Sequence, residues 1–174
     1  MGIIKVITKA QADNMYLANA LLYVTGKHTI PGMYGGININ PDNAFYQMMA
    51  VKEYFCKTGG NPLVHFIVCF DANHSNEVSA FNMCYKIAEY YNRYQIVFGL
   101  HNDIRKNKHG KVVTYFHAHF ILNSVSFTDG RKYADNRGEI QLFINHIKNV
   151  TGNRKWRVRY GRNAEIDYDD MEAV

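Results

Sequence analysis

The sequence predicts an α+β domain in which helices flank a central antiparallel β-sheet. Segments with strand patterning alternate with segments of helical periodicity in the order β-α-α-β-α-β-β-α-β. Two of the predicted strands are joined by a basic loop, a pattern typical of an antiparallel hairpin. The 174 residues, 47% of them hydrophobic, are enough for one packed domain.

The first forty residues contain one predicted strand and one predicted helix. Residues 2–8 (GIIKVIT) are apolar and short, so we expect a strand. Residues 13–24 have apolar side chains at helical spacing, which indicates a helix with one buried face. Residues 26–40 are rich in glycine and are expected to form a loop, with room for one short extended piece.

Capping signals locate the next elements. Pro41 is expected to open a helix over residues 41–57, since proline is favoured in the first helical turn. Residues 63–70 (LVHFIVCF) predict a buried strand. Ser75 is the predicted N-cap of a helix over residues 76–91.

The second half of the chain predicts a hairpin, a helix and a last strand. Residues 94–100 and 111–124 are expected to pair around a basic loop at 102–110. Residues 138–150 have helical periodicity, and residues 155–160 alternate basic and apolar side chains as a strand does.

Charge is distributed unevenly along the chain. The formal net charge is +5, but five acidic residues and no basic ones lie in residues 165–174. Residues 1–164 therefore have 20 basic residues against 10 acidic ones, or +10. We expect one domain over residues 1–164, suited to a polyanion, and an acidic C-terminal tail over 165–174 that can begin a longer region.

Cysteine usage and hydropathy predict a cytoplasmic protein. Cys56, Cys69 and Cys84 are odd in number, widely spaced and set in apolar surroundings, so we expect buried reduced thiols. The sequence has no signal-peptide pattern and no apolar run long enough to span a bilayer, so no membrane insertion is expected.

Histidines on the predicted hairpin suggest a metal site. His117 and His119 alternate with Ala118 on one strand, so their side chains share a face about 7 Å apart. His101 ends the preceding strand and can join them, while Asp103 can accept a hydrogen bond from one ligand ring. The alternative is a set of partly exposed histidines on a half-buried sheet.

These residues resemble the motifs of a known family. His101-Asn102-Asp103 followed by His117-Ala118-His119 is similar to the third motif of relaxases of the MOBP (VirD2-like) group, which are HUH endonucleases. Residues 22–27 (LYVTGK) are similar to their first motif. Two departures are a longer basic hairpin and Cys69-Phe70 in place of the family's usual Ser-Phe.

The resemblance implies a palm-like sheet with a metal triad of His101, His117 and His119 and a nucleophile at Tyr23. Mn²⁺ or Mg²⁺ is the expected ion, with Zn²⁺, Co²⁺ and Ni²⁺ as alternatives. Such an enzyme nicks single-stranded DNA at a transfer origin, becomes linked to the 5′ phosphate, and rejoins the strand during conjugative transfer. Asp103 either helps to deprotonate Tyr23 or orients a histidine.

Two other tyrosines are back-up nucleophiles, Tyr16 on the same helical face and Tyr34 in the glycine-rich loop. Basic residues near the motifs and on the last strand are candidates for DNA contact, since cations interleaved with aromatics suit a single strand. They are Lys27, Arg105, Lys106, Lys108, Lys111, Arg131, Lys132, Arg157 and Arg159.

The expected partner is single-stranded origin DNA with an adjacent hairpin, together with accessory relaxosome and coupling proteins. One rival is a rolling-circle replication initiator or single-tyrosine transposase, in which the tyrosine follows the His-x-His, as Tyr133 and Tyr160 do here. Another is a non-catalytic nucleic-acid-binding module. A small-molecule metalloenzyme would leave the basic loop and strand unexplained.

Overall fold

The computed structural model describes residues 2–7, 13–70, 76–106, 109–134, 136–152 and 155–161. In these residues a single sheet is flanked by helices, which confirms the predicted α+β class. The strands are β1 (Gly2–Ile7), β2 (Tyr34–Ile37), β3 (Leu63–Cys69), β4 (Ile96–Lys106), β5 (Val112–Asn123) and β6 (Trp156–Gly161). The helices are α1 (Asn14–Thr25), α2 (Ala44–Tyr54), α3 (Glu77–Ala88) and α4 (Arg137–Thr151).

The six strands lie in the order β2-β4-β5-β3-β1-β6. Four of the five neighbouring pairs are antiparallel, as predicted. The fifth pair, β1 with β6, is parallel, so the sheet is mixed at one edge. A parallel pair requires a long connection between its strands, and here most of the chain, with α4 last, lies between them.

Side-chain alternation divides the sheet into two faces. The back face carries Phe66, Phe98 and Phe120 and packs against α3 and α4 in the largest apolar cluster. The front face carries Val97 and Ile121, which pack with the buried residues of α1 and α2. All five of these side chains are fully buried, so the sheet separates two apolar cores.

A buried polar network connects α2 to the sheet. The ammonium of Lys52 donates to Asn123 Oδ1 at 2.5 Å, and Asn123 Nδ2 donates to Gln95 Oε1 at 2.9 Å. Burial, followed by the nearby charge of Lys132, lowers the pKa of Lys52 to about 8. Each buried polar side chain in this network therefore has a partner, as buried polar groups require.

Several predicted element boundaries were wrong. Residues 102–106 were expected in a loop, but β4 continues through them and pairs with the β-branched start of β5 as far as Lys106 with Val112. The glycine-rich loop contains β2, an edge strand. The helix expected over 41–57 is instead a 3₁₀ turn, Pro41–Asn43, followed by α2. The helix expected over 76–91 is α3, followed by a 3₁₀ turn at Glu89–Tyr91.

Local chemistry explains two further corrections. Asn76, and not Ser75, caps α3, because its backbone is extended and its Oδ1 accepts from Ser79 N at 2.8 Å. Ser75 lies outside the described residues. Cys69 and Cys84 are buried as expected, whereas Cys56 is exposed, in a left-handed conformation just after α2.

The described helices include none with the length and apolar character needed to cross a membrane. The acidic tail, residues 165–174, is not among the described residues.

Candidate metal centre

Three histidines from the two central strands meet on the front face. His101 pairs with His117 in the β4–β5 register, and His119 follows on the same side of β5. They are 3%, 5% and 0% exposed. One ring nitrogen of each lies within 4.8 Å of the others. The structure therefore brings the three predicted residues together, and all three are buried rather than partly exposed.

His101 is oriented by a threonine from the loop after α1. The hydroxyl of Thr29 donates to Val24 O at 2.7 Å, and the same oxygen lies 3.1 Å from His101 Nε2. A hydroxyl has one proton, so toward His101 it can only accept, and Nε2 must carry the proton. Nδ1 of His101 is therefore the nitrogen with a lone pair for a cation. The sequence did not indicate Thr29.

His117 is oriented by the carboxylate that the sequence suggested. Asp103 Oδ2 lies 3.6 Å from His117 Nδ1, and Asp103 is on β4 two residues beyond His101. A carboxylate beside Nδ1 favours the proton on that nitrogen, which leaves Nε2 as the ligand atom.

His119 is oriented by a fourth histidine, His65 of β3. His119 Nδ1 and His65 Nε2 lie 2.9 Å apart. Burial lowers the pKa of His65 to about 4, so its ring is neutral at neutral pH and can accept from His119. Nε2 of His119 is then left buried, and it has no hydrogen-bond partner in the described part of the chain.

The three histidines fit a divalent cation. Burial, reinforced by the neighbouring histidines, lowers the pKa of His101 to about 3, and burial lowers that of His117 to about 4. Burial, and then the charges of His65, His117 and His101, lowers the pKa of His119 well below its usual value. All three are therefore neutral, the form that binds metal ions. The unsatisfied Nε2 of His119 is what a ligand without its metal would show.

Tyr23 lies over this cluster from the last turn of α1. Its ring centroid is 5.0 Å from the rings of His101 and His119, and it stacks on His28 at the same distance with an interplanar angle of 29°. Burial, and then the negative charge of Asp103, raises the pKa of the Tyr23 phenol above its usual value. The predicted nucleophile and the predicted metal ligands are thus in contact.

The back-up tyrosines are placed differently. Tyr16 is nearly two helical turns before Tyr23, which corresponds to about 10 Å along the axis of α1. Tyr34 is on β2, where its hydroxyl donates to Asp42 at 3.2 Å.

Gly99 allows α1 to approach the sheet closely enough to bring Tyr23 to the histidines. Gly99 pairs with His119 in the β4–β5 register. A Cβ at this position would lie 1.9 Å from Val24 O and 2.9 Å from Thr29 Oγ1. Any side chain here would therefore push away both the end of α1 and the threonine that orients His101. Its role depends on a contact between distant segments, so the sequence pattern does not indicate it.

Part of the predicted DNA-binding set shares the front face with the histidines. Arg105 is close enough for its charge to lower the pKa of His117. Arg157 and Arg159 point to the same face from the β6 edge, since they pair with Ile3 and Lys5 of β1. Lys5 is a third cation in this row. Its place beside Arg159 depends on the parallel pairing of β1 with β6, which the sequence pattern does not indicate.

The rest of the set is spread over the molecule. Lys27 is exposed beside His28, and Lys106 and Lys111 are exposed on the β4–β5 hairpin. Lys108 lies outside the described residues. Arg131 and Lys132 are not near the histidines, because they follow the far end of β5, where Lys132 bridges to Val125.

The two described tyrosines that follow the His-x-His, Tyr133 and Tyr160, are also distant from it. Tyr133 lies past the far end of β5, bonded through its backbone N–H to Ser124 O at 2.8 Å. Tyr160 pairs with Val6 of β1 and therefore points to the back face. Neither position favours the rival nucleases in which a later tyrosine attacks DNA.

The fold and the site together define a class: an α+β domain with a histidine triad in its central sheet, as in HUH relaxases. The family model described as relaxase, MobA/VirD2-like, nuclease domain matches residues 16–151. The chain belongs to this family and contains a relaxase-type nuclease domain. Comparisons with curated proteins and with solved structures gave no match.

Proposed function

We infer that this protein is a site- and strand-specific DNA transesterase that nicks single-stranded DNA at a transfer origin and later rejoins it. The reaction would serve conjugative transfer or mobilisation of a plasmid or an integrative element. The observation that supports it best is the Tyr23 ring, 5.0 Å from two members of the histidine triad. Family membership supports the nuclease class independently.

In the proposed reaction the phenol oxygen of Tyr23 attacks the phosphorus of one phosphodiester. A bond forms between this oxygen and phosphorus, the bond from phosphorus to the 3′ oxygen breaks, and the proton of the phenol is transferred to the departing 3′ oxygen through solvent. The phosphotyrosine retains the energy of the broken ester, so attack by a 3′ hydroxyl can reverse the step. A water nucleophile would lose that energy.

We assign the metal to His101, His117 and His119, with Mn²⁺ or Mg²⁺ as the proposed ion and Zn²⁺, Co²⁺ or Ni²⁺ as alternatives. When bound, such an ion supplies positive charge for a non-bridging phosphate oxygen and for the tyrosine phenolate. The chain itself disfavours that phenolate, because burial and Asp103 both raise the pKa of Tyr23.

We assign Asp103 to orienting His117. Its carboxylate lies 3.6 Å from Nδ1 of that ring, close to hydrogen-bond distance. A negative charge next to Tyr23 opposes formation of the phenolate, so an orienting role fits the electrostatics better than a purely activating one.

The cations on the front face support a path for single-stranded DNA across the histidines. Arg105 lies on the β4 side, and Lys5, Arg157 and Arg159 lie at the β6 edge. Cations along a groove follow the phosphate backbone of a single strand. A DNA hairpin next to the origin, accessory relaxosome and coupling proteins, and a cytoplasmic location complete the proposed context.

Nicking by the purified protein tests this function. A pool of randomised, end-labelled single-stranded oligonucleotides should be cleaved at selected sequences when Mn²⁺ is present and not when it is chelated. His119→Ala should lose metal binding and cleavage together, because two imidazoles bind an ion poorly. His146→Gln changes a histidine of α4 that bonds to Lys86 O of α3, away from the triad; it is the control and should retain both. Equal cleavage by His119→Ala would refute the metal-dependent mechanism.

A further inference from the structure

A cavity lies on the back face, at the far end of the sheet from the histidines. Its volume is about 470 Å³, within the usual range of small-molecule sites. Tyr94 lies in the wall of this cavity, and the chain from Tyr94 to His101 is mostly extended. At about 3.3 Å a residue, the cavity is therefore roughly 20 Å from the histidine triad. Its lining combines rings and cations: Tyr90, Tyr94, Tyr133, Arg93, Arg131 and Lys132.

The tyrosines are fixed in place but only partly covered. Tyr91, beneath them, is 3% exposed and belongs to the back-face core, and its hydroxyl lies 3.2 Å from that of Tyr133. Tyr133 packs edge-to-face on Tyr94 with ring centroids 6.1 Å apart. Tyr90, Tyr94 and Tyr133 are each half-buried. A flat ring that enters the cavity therefore meets rigid aromatic surface.

The cations that line the cavity outnumber the acidic residues beside them. Arg93 donates to Asp129 at 2.5 Å, and Arg131 lies 3.5 Å from the same carboxylate. Lys132 donates to Gly59 O. The side chain of Arg131 nevertheless remains 80% exposed, so much of its guanidinium can meet a phosphate. Glu139, in the wall, hydrogen-bonds to Tyr90.

We propose that this cavity is a second single-stranded DNA subsite, which binds a single nucleotide of the strand at a position remote from the cleaved bond. The base stacks on the uncovered parts of the half-buried tyrosine rings, and the adjoining phosphate binds at Arg131 and Lys132. Stacking plus cations is how proteins bind single strands without reading sequence. The inference rests on the proposed function for the identity of the strand, but requires neither metal nor cleavage. It explains why Arg131 and Lys132 lie far from the triad.

The test measures the affinity for a labelled oligothymidylate by fluorescence anisotropy. Metal is chelated so that no cleavage occurs. Tyr94→Leu removes the ring and should weaken binding roughly five- to a hundredfold, the effect of losing one stacked base. Tyr94→Phe keeps the ring and should bind like the unmodified protein. Arg131→Ala should reduce the salt dependence of binding by about one unit of slope.

Lys86→Ala is the matched control. Like Arg131→Ala, it removes one positive charge, but Lys86 is exposed on α3 and does not line the cavity. If Tyr94→Leu and Arg131→Ala bound the oligothymidylate as tightly as Lys86→Ala does, the proposal would be overturned. Displacement of the oligonucleotide by an equal concentration of thymidine monophosphate would also overturn it, because the cavity would then be a mononucleotide site. If the unmodified protein did not nick DNA but the two variants still bound the oligonucleotide more weakly, the proposed function would be refuted and this subsite would be supported.

Discussion

At the scale of single residues, each histidine of the triad is oriented by a different kind of partner. Thr29 accepts from His101, Asp103 lies beside His117, and His65 bonds to His119. Such partners fix the tautomer and the direction of each lone pair before any ion arrives. The affinity for metal should therefore depend on residues that never touch it.

Asp103→Asn is the sharpest test at this scale. The amide keeps the size of the side chain but loses the charge beside His117 Nδ1. We expect affinity for Mn²⁺, measured by titration calorimetry, to fall about 10- to 100-fold, as is usual when such a partner is lost. Asp129→Asn changes the same charge at the far end of β5 and should leave the affinity unchanged. An Asp103→Asn variant with full affinity would contradict the orienting role.

At the scale of elements, the position of Tyr23 depends on the close approach of α1 to β4. That approach is possible because Gly99 has no side chain facing Val24 O. Gly99→Ala should therefore destabilise the protein by about 1–3 kcal/mol through overpacking, measured by urea denaturation. It should also reduce nicking more than metal binding, since Tyr23 moves with the end of α1.

Gly59→Ala is the matched control, because a Cβ there would meet nothing within 4 Å among the described residues. Its stability and nicking rate should stay close to those of the unmodified protein. If Gly99→Ala also behaved in this way, the close approach would not be what positions Tyr23.

At the scale of the whole molecule, four buried histidines should make the metal-free protein sensitive to acid. Burial lowers the pKa of His65 and His117 to about 4 and of His101 to about 3, and it lowers that of His119 as well. The unfolded chain therefore binds protons first as the pH falls. The free energy of unfolding should be constant above about pH 6.5 and decrease below it, by about 1.4 kcal/mol per pH unit for each such histidine.

Urea midpoints of the chelated protein at several pH values between about 7.5 and 5 measure this loss. His65→Gln, which keeps a hydrogen-bonding group near His119, should show a shallower decrease because it has one buried histidine fewer. A midpoint that does not change over this range would show that the histidines are accessible to protons in the folded state.

Much of the site could be predicted from sequence because its main residues are encoded locally. Strand alternation places His117 and His119 on one face, and hairpin pairing adds His101. Thr29, His65 and Gly99 could not be predicted in the same way, since their roles come from contacts between distant segments. The extension of β4 was missed because its polar residues were interpreted as a loop, although the apolar start of β5 pairs with them.

The proposed reaction requires that Tyr23 become covalently linked to DNA, and this linkage can be measured. The protein is incubated with Mn²⁺ and randomised single-stranded oligonucleotides, and adducts that survive denaturation are separated on a gel. Tyr23→Phe removes only the hydroxyl of a ring that packs on His28, His101 and His119, so the fold and metal binding should persist while the adduct disappears. Tyr16→Phe, on the same helix, should form the adduct normally. An adduct that persists in Tyr23→Phe would contradict the account.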